Sequence, residues 1–185
     1  IRAGWVYSYE SAMPYNIQGI LNPPAPILND TISNHIHNIK IDYISINGLD
    51  TNYVLNRIMK DTGVSVWDPW DEFHPTFLQS TMVKSPNGVY QFVTPNSFLL
   101  KTQLGVGAGW LYNSTDSAYI IAIEADTIWG QPDSVKTFLI ANTDTIRLSK
   151  TWGFIQFPNW ENGDYYRLVG MQNDSSSFGF RYPNF

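Results

Sequence analysis

The stretch Ile39-Lys40-Ile41-Asp42-Tyr43-Ile44-Ser45-Ile46 decides the fold class. Ile39, Ile41 and Tyr43 alternate with Lys40 and Asp42, after which Ile44 and Ile46 take the opposite phase. Residues two apart share one face of a strand, so this reads as a long strand with a bulge near Tyr43–Ile44. Runs of the same kind recur at 5–9, 76–83, 89–94, 98–104, 119–125, 135–141, 145–148, 153–157, 165–171 and 177–182. Most are bounded by Gly, Pro, Asn or Asp, which punctuate strands. Residues 52–60 fit a helical turn through Val54, Leu55 and Ile58, but Tyr53, Leu55 and Arg57 alternate and favour strand. Residues 13–29 carry four prolines and little alternation, and so read as a long irregular excursion. The expected fold is all-β, an antiparallel barrel or sandwich of ten or more short strands. One domain spans 1–185, with 113–117 the candidate internal boundary.

Composition narrows the class. Charged residues are 15% of the 185-residue chain, against about 25% in ordinary soluble domains. Aromatics also reach 15%, with seven Trp, eleven Tyr and ten Phe. Such a surface is dressed in Asn, Ser, Thr and Gln, as secreted β-proteins often are. The net charge is −5 with only eleven Lys and Arg and no basic run, which argues against a nucleic-acid partner. With no cysteine, disulfides, cysteine-type zinc sites and thiol catalysis are excluded. No run approaches eighteen apolar residues, so no membrane-spanning helix is expected. The chain starts at Ile1 rather than Met, and reads as a mature or excised fragment.

Eight of the twelve aspartates precede Ser or Thr: Asp30, Asp50, Asp61, Asp116, Asp126, Asp133, Asp144 and Asp174. In five of them Ala, Ile or Val follows, with the hydroxyl residue at Thr31, Ser117, Thr127, Ser134 and Thr145. Asp is a turn former and Thr-Ile or Ser-Val suits a strand start, so each copy is expected to punctuate a separate turn. The tripeptide also resembles the acceptor motif of the general O-glycosylation system of the Bacteroidota. Asn29-Asp30-Thr31, Asn113-Ser114-Thr115 and Asn173-Asp174-Ser175 fit the N-glycosylation pattern as well.

A broader resemblance covers roughly residues 126–185. Thr127-Ile128-Trp129-Gly130-Gln131-Pro132-Asp133-Ser134-Val135 leads into Trp152-Gly153-Phe154-Ile155-Gln156-Phe157-Pro158-Asn159-Trp160. Tyr165-Tyr166-Arg167-Leu168-Val169-Gly170 and Phe178-Gly179-Phe180-Arg181-Tyr182-Pro183-Asn184-Phe185 follow. This succession resembles a β-rich extracellular region of large secreted Bacteroidota surface proteins, many exported by type IX secretion. The resemblance implies an extracellular or outer-cell-surface location and a larger parent protein. It implies no activity.

Three groups of residues are candidates for chemistry. Trp67, Asp68, Trp70, Asp71 and Glu72 lie in a proline-bounded run that ends at His74-Pro75. Flat indoles stack on sugar rings and carboxylates accept hydroxyl hydrogen bonds, so the run suits a glycan; the plainer alternative is an aromatic plug on the core. His35 and His37 share a strand face and, with a third ligand from His74, Asp71 or Glu72, could hold a metal, against solvated strand-start histidines. The only glutamates are Glu10, Glu72, Glu124 and Glu161, and a hydrolase pair could be drawn from Glu72 with Asp71 or Glu124. No phosphate loop, nucleophile elbow or dinucleotide fingerprint occurs, and no cofactor is implied. Gly105-Val106-Gly107-Ala108-Gly109 reads as a bend before Trp110. The leading expectation is a non-enzymatic structural or interaction β-domain of an exported protein, its partners other domains of that protein or surface proteins. A carbohydrate-binding module using Trp67–His74 comes second and an unrecognised hydrolase third.

Overall fold

A computed structural model describes residues 5–13, 33–59, 78, 80–93, 97–159, 164–173 and 175–179. The described residues form thirteen strands in one antiparallel sheet. The first half is a meander of β1 (Val6–Met13), β2 (Ser33–Asn47), β3 (Asp50–Met59), β4 (Thr81–Lys84), β5 (Val89–Phe92) and β6 (Phe98–Lys101). The second is a meander of β7 (Gly109–Leu111), β8 (Ser117–Ile128), β9 (Gln131–Ile140), β10 (Asp144–Ser149), β11 (Gly153–Asn159) and β12 (Asp164–Gln172). Strands β1 and β12 join the halves, and β13 (Ser177–Gly179) adds to β12. Strands β6 and β7 stand at the two ends of the order and meet, because Leu99 N–H donates to Tyr112 O at 2.7 Å. The sheet is therefore a nearly closed barrel. Among the described residues no helix is long and apolar enough to cross a membrane.

Alternation explains the inward faces. Tyr7, Tyr9, Ile39, Ile41, Tyr53 and Leu55 enter the core at alternate positions of the first three strands, and Val6, Ser8 and Asn38 on the other face are buried as well. Phe138 and Ile140 do the same in β9, with Ile146 in β10. Each side chain of this size gains roughly 1.5–3 kcal/mol on leaving water. The barrel is flattened, since opposite walls touch: Phe92 of β5 lies 5.7 Å from Phe154 of β11, and Phe98 of β6 lies 6.0 Å from Phe157. Its middle is thus filled by aromatic rings from both walls.

Bulges adjust the phase. In β2 the register shifts between Ile41 and Tyr43, so the extra residue is Asp42, just before the expected place. In β11 strict alternation puts Phe154 and Phe157 on opposite faces, yet both are fully buried in the core. The register against β10 passes from Arg147↔Gln156 to Leu148↔Phe154, and the extra residue Ile155 resets the phase. Residues 52–59 are strand, within β3. Residues 113–116 form the hydrogen-bonded turn between β7 and β8, where Tyr112 N–H donates to Asp116 O at 2.7 Å. The glycine-rich run at 105–109 ends in β7, a strand that alternation did not reveal because it is only three residues long.

Candidate functional site

One end of the barrel gathers the tip of the β8–β9 hairpin, the β10–β11 turn and β13. Trp129 and Gly130 form the two-residue tip with φ of 50° and 75°, a primed turn that matches the twist of its strands. A left-handed tryptophan is unfavourable on its own and needs its surroundings to hold it. Here the Trp129 ring packs edge-on against Trp152 at 5.1 Å and stacks on Phe178 at 6.3 Å. Phe178 also touches Trp152 at 4.7 Å and stacks with Trp5 at 6.1 Å. Gly179 permits this, because a Cβ there would run into the Val169 carbonyl and the Trp129 indole. Four distant segments build this cluster, and no local sequence pattern announces it.

Beside the rings lies a polar brace. Asp133 accepts hydrogen bonds from the Ser149 hydroxyl, the Thr151 hydroxyl at 3.1 Å and Ser134 N–H at 2.7 Å. Ser149 Oγ in turn accepts Trp152 N–H at 2.7 Å. Arg147 pairs with Asp126 at 2.9 Å, and Gln156 Nε2 donates to Thr145 Oγ1 at 3.1 Å. Burial pushes the Asp133 carboxyl up, but the bonds from Ser149, Ser134 and Thr151 outweigh it and hold the group below the usual carboxylate range. A carboxylate held ionised in this way is a weak general base. Ser149 is only 2% exposed, so its hydroxyl is shielded from solvent. The brace ties one hairpin to the next.

The Asp-Ser/Thr copies share a local geometry. Asp126 and Asp133 each accept the N–H of the next residue, Thr127 and Ser134, at 2.7 Å. The expected placement on separate turns does not hold for these two: Asp126 lies directly opposite Asp133 in the β8–β9 ladder. A long hairpin folds sequence-distant copies into register. Thr127 is exposed, whereas Ser117, Ser134 and Thr145 are half-buried. Asn113 and Asn173 also match each other, each side-chain oxygen accepting the N–H groups two and three residues on, as Asx turns do.

Thr31, Trp67, Asp68, Trp70, Asp71, Glu72 and His74 lie outside the described residues. His35 and His37 occupy β2 opposite Ser11 and Tyr9 of β1. Among the described residues no group of three His, Asp or Glu side chains is placed to hold a metal. Glu10 lies in β1, exposed Glu124 lies in β8, and Glu72 and Glu161 fall outside. The chain matches no family model, no curated sequence and no solved structure.

Proposed function

We propose that this chain is a non-enzymatic structural or interaction domain of a secreted or cell-surface bacterial protein. The observation that carries the reading is the barrel's filled middle, where Phe92 meets Phe154 and Phe98 meets Phe157 across opposite walls. An interior occupied by its own rings offers a ligand little room, so recognition falls to the outside. The polar brace supports the same reading, because its groups satisfy one another. The Asp-Ser/Thr excess and the resemblance over 126–185 support an exported Bacteroidota-type protein and a type IX route.

Incubating the purified chain with panels of chromogenic glycosides, esters and peptides tests the assignment. No turnover above the heat-denatured control is expected, and turnover that survives repurification sinks it. Glycan-array binding lost on replacing Trp67 and Trp70 by Ala would instead establish the carbohydrate-binding reading. Among the glycosylation candidates we favour Thr127, which is the exposed one of the four described. Intact mass of natively produced protein is expected to exceed the polypeptide mass, and Thr127→Ala to remove the excess; a mass equal to the polypeptide refutes it.

A further inference from the structure

Strand β8 has two unequal edges. Along one, β9 pairs with it from Ala118 to Ile128. Along the other, β7 pairs only with Ser117–Tyr119, and bonds from Gly107 and to Ala108 extend this to Ile120. Among the described residues no strand lies along that edge from Ile121 to Ile128. The two-residue tip makes Ile128 and Gln131 a hydrogen-bonded pair. Antiparallel alternation then turns Asp126 and Glu124 toward β9, and it turns the N–H and C=O groups of Thr127, Ala125 and Ile123 to the open edge.

Exposed apolar side chains run along β7 and β8, two of them, Ile121 and Ile123, on the open stretch itself. Val106, Leu111, Tyr119, Ile121 and Ile123 are five of the nine large exposed hydrophobics among the described residues. Ile121 and Ile123 are 46% and 45% exposed. Edges are usually blunted by Lys, Pro, brevity or a bulge; residues 121–128 contain no Lys and no Pro, and their bulge lies at the start of the stretch, between Ile120 and Ala122. The edge thus presents a backbone template flanked by apolar side chains. Its chemistry calls for an extended strand.

Charge selects the occupant. In the two-fold register that pairs Ile123, Ala125 and Thr127 with a second copy, Glu124 faces Asp126 of the twin. Like charges directly opposite are destabilising; Arg147 offsets part of the Asp126 charge, but Glu124 has no such ion pair among the described residues and each copy carries a net charge of −5. A strand bearing Lys or Arg opposite Glu124 meets no such penalty. We propose that the β8 edge from Ile121 to Ile128 receives an extended segment of a partner protein that alternates apolar residues with Lys or Arg. Strand addition of this kind takes affinity from the main chain and specificity from alternate side chains. It deepens the interaction-domain reading and rests on it.

The test uses the whole unmodified chain and two capped heptapeptides, one alternating valine with lysine and one alternating valine with glutamate. Saturable binding of the lysine peptide is expected, roughly fivefold tighter than the glutamate peptide. Amide exchange should slow at Ile123, Ala125 and Thr127. Ala125→Pro removes an N–H that faces the open edge and leaves the bonds to β9, so it should abolish binding with the fold intact by circular dichroism. Ile123→Lys is the second edge variant and should weaken binding by charge, whether or not the proline variant folds. Glu124→Gln should erase the preference between peptides. Absence of saturable binding, or binding indifferent to both edge variants, overturns the proposal. So does a sedimenting dimer that Ile123→Lys dissociates, which would make the occupant a second copy. Enzymatic turnover alongside edge-dependent binding would sink only the non-enzymatic reading.

Discussion

The barrel has two seams, and they are built differently. At the first, β1 and β12 form a ladder from Val6↔Gln172 to Glu10↔Arg167, so main-chain bonds join the two halves. At the second, β6 and β7 share one main-chain bond, from Leu99 N–H to Tyr112 O. Side chains supply the rest. The Trp110 indole donates to Leu99 O at 2.9 Å, and Lys136 Nζ caps the carbonyls of Thr102 and Leu104 at 2.7 and 2.8 Å. Phe98 stacks between Phe92 at 4.2 Å and Tyr112 at 4.9 Å. The ladder seam tolerates changes of side chain because its bonds belong to the backbone. The β6–β7 seam depends on which residues stand there.

The largest expected effect on this contrast comes from Phe98→Ala, which empties the ring stack behind the weaker seam. It should cost about 3–5 kcal/mol in denaturant unfolding. Amide exchange should quicken at Leu99 before it quickens at residues 6–10, and uniform quickening at both seams would show that they open together.

Trp110→Phe keeps an aromatic ring, smaller than the indole, and removes the N–H donor. Leu99 O then loses its bond, at an expected cost of about 1–3 kcal/mol. Stability unchanged within error would mean that the indole does not close the seam.

Two tyrosines give opposite signs. Tyr9 Oη donates to Phe154 O at 2.9 Å in full burial, whereas Tyr112 Oη is buried with no hydrogen-bond partner among the described residues. Tyr9→Phe should destabilise by about 1 kcal/mol, and Tyr112→Phe should be neutral or stabilise by a similar amount. Thermal melts of both variants check this, and equal losses in the two would refute it.

The smallest effect is expected away from both seams. The hydrogen bonds to Asp133 hold its carboxyl below the usual range. Its contribution to stability is therefore present above the unfolded-state value near about 4, and is lost as pH falls toward the lower folded value. For a largely solvated group this amounts to less than about 1 kcal/mol. Asp133→Asn should remove that pH dependence in urea titrations between neutral and acid conditions and leave exchange at both seams unaltered. A variant with the parent's acid profile would show that the brace carries no net stability.

Much of the fold was legible in the chain. The alternation at 39–46, the run at 135–141 and the Gly, Asn and Asp punctuation mark strands because a pleated strand with one buried face requires them. Within those strands, Ile39, Ile41, Phe138 and Ile140 are buried as alternation requires. The phase change at 39–46 announced the bulge in β2 within a residue of its place, whereas the one in β11 went unread. Asp42 and Ile155 are ordinary residues locally, and pairing with the neighbouring strand is what identifies each as the extra one. Strand β7 is too short to carry a period. The aromatic end and the brace escaped for another reason: Trp5, Trp129, Trp152 and Phe178 lie far apart in sequence, and no local rule relates them.

The sequence by itself therefore determined an antiparallel all-β chain, sparse in charge and rich in Asp-Ser/Thr copies, because those traits reside in neighbouring residues. Tertiary structure decided which strands meet. It closed the β6–β7 seam with an indole, set Asp126 against Asp133 and, among the described residues, left the edge of β8 without a neighbouring strand beyond Ile120. Such matters depend on contacts between residues distant along the chain. A pattern of period two names a strand's faces and leaves its neighbours unnamed.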